Sequence, residues 1–241
     1  MKNAASFAFA AKTVLSAALA TGALSAGAAA FAQAPGVEGN VSLVSDYRFR
    51  GVSLSDESIA LQGGIDLGWN SGFYTGFWGS SIEPVGASEL ELDLYAGYAG
   101  ETAAGLGYDV GALVYTYPDQ SDAHYLELYA SLSRTIGAVA NSAGLAWAPE
   151  QDNIGGDDNL YLYYAGETAI TAVDGLSLDF GLGYETGAFG DLDGDGDDKW
   201  DWTIGLTLSR LGLDFGVAYV DTSEETGVSG EQIVLSVGRA F

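Results

Sequence analysis

Apolar residues recur at every second position along most of this chain, in segments of about ten residues. In the clearest segment, 89–98, apolar side chains occupy the even positions and carboxylates occupy the first three odd ones. Successive side chains of a strand point to opposite faces, so this period of two predicts strands with one apolar face. The pattern appears in segments 41–49, 62–69, 73–82, 89–98, 106–114, 125–132, 143–147, 160–164, 176–184, 200–208, 213–219 and 233–241.

The connections between these segments alternate between short turns and longer acidic stretches. The short ones are 70–72, 100–105, 136–141, 171–175 and 209–212; the long ones are 51–58, 83–88, 118–123, 149–159, 187–198 and 222–230. Outer-membrane barrels show this asymmetry, with short turns on one side of the membrane and longer loops on the other. The sequence therefore predicts an all-β, antiparallel, up-and-down transmembrane barrel of about twelve strands, with ten or fourteen as alternative counts.

A soluble barrel or sandwich also alternates, so the direction of the apolar face has to be decided separately. In a soluble barrel the apolar face points inward. Here that face carries aliphatic residues with an aromatic residue near a strand end, as at Trp69, Tyr98, Tyr184 and Trp200. Aromatic residues that flank an aliphatic band are typical of a lipid-facing surface. We expect the apolar side chains to point outward.

The amino terminus has the features of a secretory signal. Lys2 and Lys12 provide positive charge, an alanine-rich stretch follows over 13–29, and Ala30-Phe31-Ala32 is a small-x-small cleavage site. We predict a signal peptide over 1–32 and a mature barrel over 33–241. A membrane-anchoring helix is the alternative, but the stretch is polar for one. The chain has no Cys, which excludes disulfides, a lipidated cysteine and thiolate metal sites.

The carboxyl terminus agrees with export. Phe241 ends an alternating segment, as an aromatic residue ends the last strand of bacterial outer-membrane barrels. We therefore expect location in the bacterial outer membrane, contact with outer-membrane lipid and lipopolysaccharide, and recognition by the barrel-assembly machinery through this strand.

The charge excludes one class of partner. The formal net charge is −25, and every acidic residue follows position 32. Nucleic-acid binding requires Lys and Arg at the phosphates, so a nucleic-acid partner is not expected. The basic residues beyond position 32 are Arg48, Arg50, Arg134, Lys199, Arg210 and Arg239. Such a surface attracts cations.

The face opposite the apolar one collects carboxylates. We predict that the lumen is lined by Asp46, Arg48, Arg50, Asp66, Glu89, Glu91, Asp93, Asp109, Glu127 and Asp179. A low-dielectric tube lined mainly by one sign of charge concentrates the opposite ion, which favours passive diffusion of small solutes with a cation preference. The alternative is a structural or adhesion barrel whose lumen is filled by these side chains.

One acidic loop resembles part of a calcium site. Asp191, Asp193 and Asp195 stand at the first, third and fifth positions of a calcium loop, Gly196 stands at the sixth, and Asp197 follows. Trp202 occupies the twelfth position, where such loops place a bidentate Glu, so an EF-hand is excluded. A looser divalent-cation site at these four aspartates is the prediction, and a solvated acidic loop is the alternative. No other cofactor is expected.

An outer-membrane lipid enzyme is the least supported class. His124 is the sole histidine, and its same-face neighbours on a strand are Asp122 and Leu126, with no Ser nucleophile. No Gly-x-Ser-x-Gly motif occurs. We expect a surface histidine and no enzymatic activity.

The segment 40–53, Asn-Val-Ser-Leu-Val-Ser-Asp-Tyr-Arg-Phe-Arg-Gly-Val-Ser, resembles the TorF family of proteobacterial porins, also labelled Gcw_chp. The likeness continues at 60–64 and 72–80, and more weakly at 201–202 and 213–221. The resemblance implies an outer-membrane, porin-like barrel. It implies no particular substrate and no catalytic residues.

Overall fold

The computed structural model describes residues 35–194, 196, 198–224 and 226–241. The predicted signal peptide over 1–32 lies outside the described residues. Among those residues, no helix is long and apolar enough to cross a membrane.

Twelve antiparallel strands form a closed barrel, as the sequence predicted. Two further two-residue strands, β2 and β3, pair only with each other. The strands are β1 (Gly36–Val44), β2 (Arg48–Phe49), β3 (Val52–Ser53), β4 (Ala60–Gly68), β5 (Phe73–Val85), β6 (Ser88–Glu101), β7 (Gly107–Thr116), β8 (Tyr125–Ile136), β9 (Val139–Gln151), β10 (Asp157–Ala169), β11 (Leu176–Gly187), β12 (Lys199–Arg210), β13 (Leu213–Thr222) and β14 (Gln232–Ala240).

The barrel closes between its first and last strands. Asn40 pairs with Ala240, and the register continues to Val44 opposite Ser236. The backbone N–H groups of Gly39 and Phe241 each donate to the carbonyl of the other residue, both at 2.9 Å. Closure leaves the barrel without an unpaired edge strand, which is the condition for a sheet to lie in lipid.

Register carries the sequence alternation around the wall. Leu94 lies opposite Phe77 on β5 and Val114 on β7, and all three side chains face outward. The next residue along the strand, Asp93, lies opposite Trp78 and faces inward. Apolar side chains of neighbouring strands thus lie side by side on the outer face. A register slip of one residue would turn the apolar side chains of a strand into the lumen, so the alternation specifies the register.

The two ends of the barrel differ. At one end, here named the turn end, the connections are 69–72, 102–106, 137–138, 170–175 and 211–212; at the other, the loop end, they are 45–59, 86–87, 117–124, 152–156, 188–198 and 223–231. The predicted loop over 83–88 is wrong, because β5 and β6 continue until only Gly86 and Ala87 join them. A register irregularity between Ser81 and Val85 accommodates Pro84, which cannot donate to a ladder.

The outer surface is an aliphatic band between two belts of aromatic residues. Phe73, Phe77 and Leu94 are each more than 40% exposed, although they are large and apolar. The outward aromatic residues near the turn end are Trp69, Phe73, Tyr98, Tyr108, Phe215 and Phe241, and those near the loop end are Trp147, Tyr184, Trp200, Trp202 and Tyr219. This surface has the composition of a lipid-facing barrel.

Candidate functional site in the barrel lumen

The predicted carboxyl-terminal end of the first strand is wrong. The alternation suggested a strand over 41–49, but β1 ends at Val44, and residues 45–59 leave the wall. We name residues 45–59 the lumen segment. They connect β1 to β4, which are neighbours in the wall, so nothing in the connectivity requires a long excursion.

The contacts of the lumen segment place it inside the barrel. Arg50 reaches Glu127 on β8 and Glu185 on β11, each of which lies four strands away from the wall strand to which the segment is joined. Tyr47 reaches Glu91 on β6. A segment attached at β1 and β4 can meet these strands simultaneously only across the lumen.

At the tip of the lumen segment, β2 and β3 form a hairpin whose two turn residues are Arg50 and Gly51. Both have left-handed backbones, with φ of 49° and 85°. Two positive φ values are what a type I′ hairpin requires. Arg50 is an unfavourable residue for this conformation, since a side chain there costs strain. Gly51 is required for a second reason, because an added Cβ would lie 2.7 Å from Cβ of Thr222 on β13.

Asp46 holds the base of the hairpin together. Its carboxylate accepts hydrogen bonds from Nε of Arg48 (2.5 Å) and from the hydroxyls of Ser53 (2.5 Å) and Ser55 (3.1 Å). The Ser55 hydroxyl also accepts the backbone N–H of Tyr47 at 2.8 Å. Asp46 and Arg48, which the alternation placed on the inward face of a strand, therefore form hydrogen bonds within the lumen segment.

Arg50 is the central contact of the lumen. Its guanidinium donates to both oxygens of Glu127 (2.9 and 2.7 Å) and to Oε1 of Glu185 (2.6 Å). Nζ of Lys199 lies 2.5 Å from the other oxygen of Glu185. The guanidinium carbon lies 4.3 Å from the ring centroid of Tyr161 on β10, within cation–π range. All four charged side chains are at most 4% exposed.

The ionisation of the lumen segment follows from these contacts. Burial by itself would lower the pKa of the Arg50 guanidinium, but Glu127 and Glu185 outweigh burial and raise that pKa above its ordinary value. Burial, followed by the charges of Glu91 and Asp93, raises the pKa of the Tyr47 phenol. Arg50 is thus a permanent cation, and Tyr47 is a neutral hydrogen-bond donor.

The turn half of the lumen is built differently, from tyrosines lying over glycines. Gly76 pairs with Tyr95 across the strands, and a Cβ on Gly76 would lie 2.6 Å from the Tyr95 hydroxyl. The same cross-strand pairing joins Gly111 to Tyr129 and Gly144 to Tyr163. The missing side chain lets each ring lie against the wall rather than across the lumen, which explains the heavy use of both residue types.

Carboxylates accept the hydroxyls of these tyrosines. Tyr74 donates to Asp109 at 2.6 Å and lies 2.5 Å from the Tyr129 hydroxyl. Tyr95 donates to Asp66 at 2.5 Å. Asp66 and Asp179 remain half-buried, whereas Asp109 is fully buried.

The predicted lining residues thus fall into three groups. Asp46, Arg48 and Arg50 lie in the lumen on the inserted segment rather than on the wall, and this is the main feature that the sequence reasoning missed. The inward wall residues are Asp66, Glu91, Asp93, Asp109, Glu127 and Asp179. Glu89 is exposed at the loop end. The turn pair Arg50-Gly51 is not one of the Asn-Gly, Asp-Gly or Gly-Gly pairs typical of two-residue hairpins, so Gly51 was a weak local signal for this hairpin.

The predicted cation loop is described in part. Asp191, Asp193 and the buried Glu224 place carboxylate oxygens within 4.8 Å of one another. Asp195 and Asp197 lie outside the described residues. Glu224, a residue that the sequence reasoning did not include, accepts the backbone N–H groups of Leu192 (2.8 Å) and Asp193 (3.1 Å). The divalent-cation site stays a prediction.

His124 lies beside the loop end of β8. Its Nε2 is 3.0 Å from the backbone carbonyl oxygen of Tyr117. In the described part of the chain, no Ser or carboxylate side chain is hydrogen-bonded to the ring.

A cavity of about 300 Å³ opens above the hairpin at the loop end. Phe49, Val52 and Leu54 of the lumen segment form part of its lining. The connections between wall strands contribute Ile154 and Phe189. We name this cavity the vestibule.

Comparison with known proteins identifies a family and a fold. A sequence model of the family described as "Bacterial protein of unknown function (Gcw_chp)" matches residues 28–238. No curated protein matches the sequence.

Solved structures with a similar fold include the NanC porin (TM-score 0.55, 10% identity, 85% of this chain and 98% of that one). The KdgM porin aligns with TM-score 0.56 at 9% identity, over 85% of this chain and 97% of that one. An outer membrane channel from Pseudomonas putida F1 aligns with TM-score 0.51 at 14% identity, over 88% and 97%. At these low identities, the structural alignments show a shared barrel fold and nothing further.

Proposed function

The chain belongs to the Gcw_chp family of bacterial proteins of unknown function. From the structure of its barrel and lumen, we propose that it is a porin-like outer-membrane channel for small solutes. The observation that carries the proposal is a closed barrel with an apolar outer face and a charged interior. The likeness of residues 40–53 to the TorF porins supports the same assignment.

The outer surface supports residence in a membrane. Three of the basic residues, Arg134, Arg210 and Arg239, are exposed on outward positions at the turn end. Long basic side chains at a membrane boundary extend their charges to the headgroup level. With the turn end on the periplasmic side, both ends of the barrel chain lie there, as expected for a protein exported through a signal over 1–32 and assembled through the strand that ends at Phe241.

The interior supports a preference for cations. Among the described residues, eight buried charged side chains are carboxylates and three are cations. The carboxylates are Asp46, Glu91, Asp93, Asp109, Glu127, Glu185, Asp201 and Glu224. The excess negative charge in a low-dielectric enclosure attracts small cations and repels anions.

One observation favours a second candidate, a structural barrel with a filled lumen. Tyr47, Arg48 and Arg50 of the lumen segment are at most 3% exposed, so the segment is closely packed in the loop half of the lumen. The two candidates differ in whether ions cross the folded protein.

Planar-bilayer recording under a salt gradient tests the channel. We expect small, discrete conductance steps and a reversal potential that favours cations, because the hairpin narrows the lumen and carboxylates predominate within it. A reversal potential that favours anions would contradict the cation preference. Absence of current from folded protein, both for the wild type and for a variant with a loosened hairpin, would leave the structural barrel as the function.

A further inference from the structure

The vestibule has the size and composition of a small-molecule site. Its volume of about 300 Å³ lies at the lower end of the range for ligand pockets. Most of its lining is apolar, and this surface comes from the lumen segment (Leu54), the end of β5 (Val85) and the connections at the loop end (Ile154). A solute that arrives from the loop end meets this cavity before it meets the hairpin.

Aromatic rings form much of the vestibule. Tyr125 stacks on Tyr115 with ring centroids 4.4 Å apart, and its ring also meets Phe189 at 5.6 Å. Phe49 and Tyr117 add two more rings to the lining. Aromatic faces attract cations as well as apolar groups, and the attraction increases where water is excluded.

Among the charged groups in and beside the vestibule, one carboxylate is left without a cation. Lys199 pairs with Glu185 at 2.5 Å, and Arg50 is shared between Glu185 and Glu127. These two cations and two carboxylates balance. Glu91 accepts hydrogen bonds from the hydroxyls of Tyr47 (2.7 Å) and Tyr117 (2.8 Å) and has no basic side chain within 4 Å in the described part of the chain.

A second buried carboxyl group lies deeper on the same strand face. Asp93 is two residues from Glu91 on β6 and is 1% exposed. Its Oδ1 has no hydrogen-bond partner among the described residues. Asp93 provides no cation for Glu91, so Glu91 is without a basic partner at the point where the walls of the vestibule are aromatic.

We propose that the vestibule binds small organic amines, with the apolar body against the aromatic walls and the ammonium group at Glu91. This inference deepens the proposed function, because it names the solute class that the channel would select. An anionic solute would meet Glu91, which has no basic side chain within 4 Å in the described part of the chain. An inorganic cation has no apolar body to place against the lining.

Three probes that share a phenyl ring and differ in charge test the proposal: 2-phenylethylamine, 2-phenylethanol and phenylacetate. Binding is measured by calorimetry on the folded wild-type protein in detergent, with protein-free micelles subtracted. We expect the amine to bind about tenfold or more tightly than the alcohol, as a charge-assisted contact implies, and phenylacetate to bind most weakly. Equal or tighter binding of phenylacetate, or no binding of the amine, would overturn the proposal.

A substitution locates the charge that is responsible. Glu91→Gln keeps an acceptor for the tyrosines and removes the negative charge, so the amine should bind about as weakly as the alcohol while the alcohol is little affected. Glu101→Gln, on the same strand but exposed at the turn end, is the matched control and should leave all three affinities unchanged. An unchanged amine preference in folded Glu91→Gln would overturn the assignment. If Glu91→Gln does not fold, the wild-type ranking alone decides.

Binding and conductance fail independently. A protein that prefers the amine but passes no ions would retain the binding site and lose the channel function. A protein that conducts without preferring the amine would retain the channel and lose the site.

Discussion

The two halves of the lumen share one wall but are filled in different ways. In the loop half, the lumen segment packs against the wall, and its Arg50 and the wall residues Glu127 and Glu185 are therefore at most 4% exposed. In the turn half, Asp66 and Asp179 remain half-buried, and tyrosines lie over glycines along the wall. The same twelve strands, with the same alternation of side chains, form the wall of both halves. The loop half is thus filled by a connecting segment, whereas the turn half is filled by side chains of the wall itself.

In the proposed channel, this difference would separate the part that selects solutes from the part that only passes them. The loop half contains the ion pairs, the vestibule and Glu91, while the turn half contains glycines, tyrosine hydroxyls and the carboxyl groups that accept their hydrogen bonds. A twelve-stranded lumen is intermediate in width between filled eight-stranded barrels and open porins. If the proposed channel conducts, we expect the inserted hairpin to make it selective at the loop end.

The strongest test of this comparison is Arg50→Ala. The change leaves Glu127 and part of Glu185 buried without their cation, which typically costs about 3–5 kcal/mol. We expect the hairpin to loosen, the conductance to show the largest increase of any single substitution, and the urea midpoint of the folded barrel to fall.

Arg210→Ala is the matched control for Arg50→Ala. Arg210 lies 3.5 Å from Asp174 at the turn end, and both side chains are more than half exposed. Such a pair contributes about 0–1 kcal/mol, so conductance and stability should stay close to wild type. Equal conductance of Arg50→Ala and wild type would show that the hairpin does not limit the aperture.

Gly51→Val tests the position of the hairpin without removing a charge. A β-branched residue at φ 85° is strained by about 1–3 kcal/mol, and its Cβ would meet Thr222 and Asp201. We expect conductance to increase, though less than in Arg50→Ala, because the guanidinium keeps its carboxylates.

Gly212→Val separates backbone strain from the clash at Gly51. Gly212 has φ 74° at the turn end, and an added Cβ there meets nothing within 4 Å. The Gly212→Val variant should lose about as much stability through backbone strain as Gly51→Val does, with no change in conductance. If Gly212→Val opened the channel as much as Gly51→Val, general destabilisation would explain both.

The sequence predicted the wall better than it predicted the lumen. Alternation determines which way Leu94 and Asp93 face, because the direction of a side chain depends only on its position along one strand. The predicted twelve-stranded barrel is confirmed. The lumen segment depends on contacts with β6, β8 and β11, which are distant in sequence. Asp46, Tyr47 and Arg48 also alternate, so a local period could not distinguish them from a continuation of β1.

The smallest expected effect comes from the turn half, with Tyr74→Phe. The substitution removes the hydroxyl that donates to Asp109 at 2.6 Å and contacts Tyr129, while the ring keeps its place over Gly97. Weakening the hydrogen bonding of a buried carboxylate costs about 1–3 kcal/mol, so the urea midpoint should fall. Conductance should not change, because the aperture lies in the other half. Tyr98→Phe, whose side chain faces outward, controls for loss of a phenol and should change neither quantity. An increase in conductance for Tyr74→Phe comparable to that of Arg50→Ala would mean that the tyrosines of the turn half also restrict the lumen.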